Sequence, residues 1–91
     1  MINVFFKSQF SNNILITLSS DEKIEKLIEY FFVKNGRTDL INNYTNKYIF
    51  RYNGKNLNDK LDRQIGSIFN GNNPIVNVVE TGTFIIKNKF N

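Results

Sequence analysis

Asp59 and Asp62 lie close enough in the chain to suggest a paired-carboxylate site, either for proton transfer or for a hard cation. Such a pair needs a third converging group. The chain contains no histidine and no cysteine. The commonest general base, the thiol nucleophile and the commonest soft or borderline metal ligands are therefore missing. The two aspartates are read as loop and capping residues. Gly71, in NGNNP, marks a turn rather than a phosphate cradle, because no P-loop and no G-x-G-x-x-G pattern is present. The chain is expected to be non-catalytic, with no metal and no cofactor.

Binding chemistry is better represented. The stretch KYIFRYNGKNL, residues 47–57, alternates. Tyr48, Phe50 and Tyr52 point one way, Ile49 and Arg51 the other. With the alternation of the first strand, this is expected to set Lys7, Arg51 and Lys55 on the open side of a sheet, with Phe5 and Val79 nearby. A mixed basic and apolar face suits an acidic protein partner. The plain alternative is a merely solvated sheet face. A dedicated nucleic-acid binder needs denser charge and interleaved aromatics than a net charge of +4 supplies. Nothing in the sequence sets an oligomeric state.

The elements that must hold these residues follow from composition and period. The chain has 91 residues, 41% of them hydrophobic and 14% aromatic, which fits one globular domain rather than a disordered tail. Phenylalanine dominates the aromatics and tryptophan is absent, so a core rich in Phe, Ile and Leu is expected. Without cysteine there is no disulfide framework. The abundance of Asn, Ile, Lys, Phe and Tyr has the look of an AT-rich codon bias, so asparagine-rich spots are discounted as functional signals. No apolar run approaches the roughly 20 residues that span a bilayer, so no membrane partner is expected. Asn3 and Lys7 interrupt any signal-peptide pattern, which implies an intracellular, cytoplasmic setting. The sequon Asn43-Tyr44-Thr45 then carries no weight.

Ile2, Val4 and Phe6 alternate against Asn3, Phe5 and Lys7, as in a half-buried strand. Ile14, Ile16 and Leu18 alternate against Leu15 and Thr17, giving a second strand and an antiparallel hairpin. The period then changes. Ser19 and Glu22 have capping-box spacing, and Ile24, Leu27, Ile28 and Phe31 recur on one helical face. A helix is expected over 21–35, with Glu22 and Lys26 paired on its wet side and Gly36 ending it. Residues 37–46 form a polar loop pinned by Leu40, Ile41 and Tyr44. Asn53-Gly54 predicts a type I′ hairpin between strands at 47–52 and 55–57. A single helical turn follows, with Leu61, Ile65 and Ile68 inward. The last strand has Val76 and Val78 inward and Ile75, Asn77 and Val79 outward. Two strands, a crossover helix, two more strands, a short helix and a strand make an α+β domain of β-grasp type, a mixed sheet with one helix across it.

At the level of residues the chain resembles the ubiquitin family. The inward Val4, Phe6, Ile14, Ile16 and Leu18, with helix positions Ile24, Leu27 and Phe31, follow the family pattern without gaps from residue 2 to about 31. IFRYNGKNL is similar to the family's leucine-isoleucine-phenylalanine hairpin with its Gly-Lys turn. Lengths differ through 36–46 and 58–74. The resemblance implies a ubiquitin-like domain over 1–80, followed by an apolar C-terminal extension over 81–91. The departures are informative. Conjugated members end in Gly-Gly, and none occurs here. The family's outward leucine, isoleucine and valine correspond to Gln9, Arg51 and Val79, so the isoleucine has become a charge. This implies a non-conjugated protein-interaction module, expected as the N-terminal domain of a longer protein; the alternative is a structural subunit of a large protein or ribonucleoprotein assembly. Phe84 and Ile86 alternate like a strand and are expected to add to a sheet or clamp a partner. The partner-binding set is therefore Phe5, Lys7, Arg51, Lys55, Val79, Phe84 and Ile86.

Overall fold

The computed structural model describes residues 1–8 and 13–81. Strands β1 (Ile2–Ser8) and β2 (Ile14–Leu18) are antiparallel, with Ile2 opposite Leu18 and Phe6 opposite Ile14. Helix α1 (Ile24–Lys34) packs across the sheet. Strands β3 (Tyr48–Tyr52) and β4 (Lys55–Asn56) form the second hairpin, and the four-residue helix α2 (Ile65–Ile68) precedes β5 (Ile75–Glu80). The sheet order is β2-β1-β5-β3-β4, with β1 and β5 parallel and the other pairs antiparallel. This is the β-grasp architecture. A parallel central pair needs a long crossover between its strands, and α1 with the segments after it provides the return.

The alternation read from the sequence is the alternation of burial. Val4, Phe6, Phe50 and Val76 are fully buried beneath α1, whose Ile24, Leu27, Ile28, Phe31 and Phe32 face them. The centre is aromatic. Phe31 lies 4.7 Å from Phe6 and 5.5 Å from Phe50, ring centre to ring centre, and Phe32 meets Phe50 edge-on at 5.8 Å. Tyr48 packs on Phe32, and Tyr52 packs on Phe69 while its hydroxyl accepts a bond from the Asn70 N–H. The aromatics of β3 thus form the floor of the core. Asn53 and Gly54 both take positive φ, as a type I′ turn requires.

The start of α1 differs from the sequence expectation. The helix begins at Ile24, not near residue 21, and its N-cap Lys23 makes no side-chain cap. Ser19 instead closes a tight turn, its hydroxyl accepting from the Asp21 N–H and its carbonyl from the Glu22 N–H. The cap is supplied by a distant segment. The N–H groups of Ile24 and Glu25 donate to the carbonyls of Arg63 and Leu61, at 2.9 and 3.0 Å. In return the N–H groups of Ile65 and Gly66 donate to Glu22 and Ser20. Backbone carbonyls cannot be told from sequence, so the local serine signal was the only one visible. Gly66 makes the seam possible, because a Cβ there would meet Ser20 Cβ at 2.9 Å. Glu22 consequently precedes the helix, and Lys26 pairs with Glu29 at 3.8 Å.

The other end behaves as read. Gly36 takes φ +71°. Its N–H bonds the Val33 carbonyl and the Arg37 N–H bonds the Phe32 carbonyl, the two bonds of a Schellman motif. Leu40 and Tyr44 are buried and pin the following loop.

Burial raises the Tyr44 and Tyr48 phenols above their ordinary range, with the charges of Glu25 and Glu80 adding to it. A raised folded pKa means this contribution to stability is complete below the unfolded value, about 10, and is lost as pH rises through the folded values. Denaturant midpoints should therefore fall above pH 10, and the fall should be shallower in Tyr44→Phe. An unchanged slope in that variant would place the alkaline loss elsewhere.

Candidate protein-binding face

The side of the sheet away from α1 carries the outward residues of every strand. Register fixes their order, because residues directly opposite one another share a face. Phe5 stands between Leu15 on β2 and Ile75 on β5, giving an apolar row across three strands. The next row is polar and basic. Lys7 lies opposite Asn77, Asn77 opposite Arg51, and Arg51 opposite Asn56. With strands about 4.8 Å apart, Lys7 and Arg51 stand roughly 10 Å from each other. Val79 and Ile49 face each other in the row beyond. Leu15, Ile75 and Val79 are 53%, 45% and 42% exposed, high values for large apolar side chains.

None of the described residues that register places on this face is acidic, and Lys7 and Arg51 form no ion pair among the described residues. Both are exposed. The face therefore presents two uncompensated cations between two apolar strips.

The structure brings together Phe5, Lys7, Arg51 and Val79 from the sequence-derived set and separates Lys55. In the two-residue turn Lys55 pairs with Tyr52, and Tyr52 is buried on the helix side. Lys55 therefore has the parity of Tyr52, and Asn56 takes the place beside Arg51 that Lys55 was expected to hold. A one-residue step in register inverts the face. Gln9, Phe84 and Ile86 lie outside the described residues.

Sequence reasoning also passed over two features. Leu15 and Ile75 were recognised as outward but not as members of the site. A groove of about 410 Å³ runs between β2 and α1, lined by Leu15, Leu18, Tyr30, Val33 and Lys34. The signal was available in part: Tyr30 and Val33 are apolar residues three apart on the helix, beside its core face rather than on it. Asp59 is exposed at the end of a 3-10 turn (Leu57–Asp59), and Asp62 is exposed in the turn after it. Among the described residues no cluster of three acidic side chains could hold a metal ion, and no helix is long and apolar enough to cross a membrane.

A five-stranded mixed sheet under one principal helix, in this strand order, defines a small α+β domain of ubiquitin-like, β-grasp fold. Among solved structures the chain is similar to one described as "Molecular Mimicry of SUMO promotes DNA repair", with a TM-score of 0.68 and 17% identity, covering 86% of this chain and 89% of that one. At that identity the likeness is one of fold. No family model matches the chain, and no curated protein matches it.

Proposed function

We propose that this chain is a non-catalytic, ubiquitin-like protein-interaction domain that is not conjugated to targets and that docks an acidic partner through its open sheet face. The observation that carries this reading is Arg51, aligned with Lys7 across β5 between the apolar strips, on a face where register places no described acidic residue. A receptor shaped to bury an aliphatic residue at that point would have to strip water from a guanidinium without pairing it, at a cost of several kcal/mol. A receptor with a carboxylate there gains a charge-assisted bond in a partly dry setting. Exposed Leu15, Ile75 and Val79, with half-buried Phe5, supply the apolar contact that an interface centre needs. The fold neighbour's described mimicry of SUMO supports protein contact as the mode of action. The residues after β5 read TGTFIIKNKFN, an apolar run rather than the small or polar tail of a conjugated relative, which supports a binding rather than a conjugating role. We take 1–80 as the binding domain, with Phe84 and Ile86 extending its contact surface.

The test is a partner captured on the wild-type domain and measured by calorimetry against charge reversals. Arg51→Glu should weaken binding by about 2 kcal/mol or more, roughly thirtyfold. Lys7→Glu should act in the same direction. Lys55→Glu, on the other face, should do much less. If Arg51→Glu and Lys7→Glu fold normally and leave affinity untouched, the open face is not the site. Co-purification with a very large particle would favour the subunit role instead.

A further inference from the structure

Glycine follows asparagine at three places: Asn35-Gly36, Asn53-Gly54 and Asn70-Gly71. In such a pair the glycine nitrogen can attack the asparagine side chain, because no Cβ on the glycine crowds it. The structure treats the pairs differently. At Asn35 both reacting groups are occupied. The Asn35 Nδ2 donates to the Phe31 carbonyl at 2.9 Å, and the Gly36 N–H donates to the Val33 carbonyl at 3.1 Å. These bonds belong to the helix stop, so the end of α1 must open before either group is free.

At Asn53-Gly54 neither group is held. Both residues are exposed, and among the described residues neither the Asn53 side chain nor the Gly54 N–H makes a hydrogen bond. Asn53 stands at φ 49° and Gly54 at φ 78°, at the tip of a hairpin whose last pair is Tyr52 opposite Lys55. Reaction at the tip therefore breaks no bond of the ladder. Asn70-Gly71 is exposed as well, but it lies in a longer connection before β5, and the Asn70 N–H is held by the Tyr52 hydroxyl at 2.9 Å.

We propose that Asn53-Gly54 is a self-modifying site, converting to aspartate and isoaspartate in the folded domain, while Asn35-Gly36 is protected. The Gly54 nitrogen loses its proton to solvent base and attacks Asn53 Cγ. The N–Cγ bond forms, the Cγ–Nδ2 bond breaks, and Nδ2 takes up a proton and leaves as ammonia. Water then opens the cyclic imide. Attack at Cγ gives aspartate on the ordinary backbone. Attack at the main-chain carbonyl carbon gives isoaspartate, whose backbone is longer by one carbon. A two-residue type I′ loop fixes the register of the strands it joins, so the longer form does not fit it, whereas Asp-Gly does. The misfit falls beside β4, whose two residues pair with Arg51 and Tyr52 and whose Asn56 side chain holds the Asn58 N–H at 2.9 Å. Isoaspartate therefore loosens β4 and the anchor of Asn58. This inference stands independently of the open-face reading.

Incubation of the full chain at mildly alkaline pH, folded and in urea, tests it. Brief digestion at mildly acidic pH with a lysine-specific protease separates the three pairs, in peptides 35–47, 48–55 and 61–87, and mass spectrometry reads the conversion of amide to acid. In the folded chain Asn35 should convert at least about tenfold more slowly than Asn53, because its helix end must open first. In urea the two rates should converge. Equal rates in the folded chain, or an Asn53 rate that folding suppresses as strongly as that of Asn35, would overturn the proposal. The isoaspartyl product, isolated by chromatography, should unfold at lower urea than the wild type, while Asn53→Asp should match the wild type because Asp-Gly keeps the turn. Equal midpoints for the isoaspartyl form and Asn53→Asp would overturn the consequence drawn for β4.

Discussion

Phe31→Ala should destabilise the domain by about 3–5 kcal/mol. Phe31 is fully buried and is the ring on which three others converge: Phe6 at 4.7 Å, Phe32 at 5.4 Å and Phe50 at 5.5 Å. Those rings come from β1, α1 and β3, so the alanine would leave a void between the sheet and the helix that neither can close alone. The lost burial and the residual cavity add. Against a total stability of about 5–15 kcal/mol for a domain of ordinary type, such a loss would bring the variant near its unfolding midpoint at room temperature. Urea unfolding followed by far-ultraviolet circular dichroism will measure it. A loss below about 1 kcal/mol would mean that α1 does not seat on the sheet through this ring.

The second large effect is expected at Asn58. Strand β4 is only two residues long, Lys55–Asn56, so it cannot pair with the first half of β3. The Asn58 side chain substitutes for the missing strand. Its Oδ1 accepts from the Phe50 N–H at 3.1 Å, and its Nδ2 donates to the Tyr48 carbonyl at 2.8 Å. Its own N–H is held by the Asn56 side chain at 2.9 Å, which keeps the amide in place. Asn58→Leu preserves the side-chain size but leaves two backbone groups unpaired beside the core. Each such group costs about 1–3 kcal/mol, so a total of about 2–6 kcal/mol is expected. Asn58→Asp should fall between the two, since it keeps the acceptor and loses the donor. Hydrogen exchange at the Phe50 amide gives a local reading: it should accelerate in Asn58→Leu by more than the global loss of stability explains.

Asn58 also shows where composition misleads. A chain so rich in asparagine invites the view that each one reflects codon usage, and most exposed ones in this fold do nothing that the structure reveals. Asn58 does, because it stands where an edge strand stops short. No spacing rule marks that place.

What the sequence determined by itself is whatever depends on neighbours a few residues away. The period of two in β1, β2, β3 and β5, the period near 3.6 in α1, the left-handed stops at Gly36 and Asn53-Gly54, and the inward or outward parity of Lys7, Arg51 and Val79 are all local properties. They are set by backbone geometry and by the need to bury alternate or every third and fourth side chain. Tertiary structure decided what depends on distant partners. The first turn of α1 is capped by carbonyls of residues 61 and 63 rather than by Ser19, because a backbone acceptor already ordered by packing satisfies those N–H groups as well as a hydroxyl would. Lys55 left the basic face because a two-residue turn pairs it with Tyr52, and pairing, not chain position, sets the face. Lys7 and Arg51, separated by more than forty residues of chain, became one site only because β5 inserts between their strands and aligns both with Asn77.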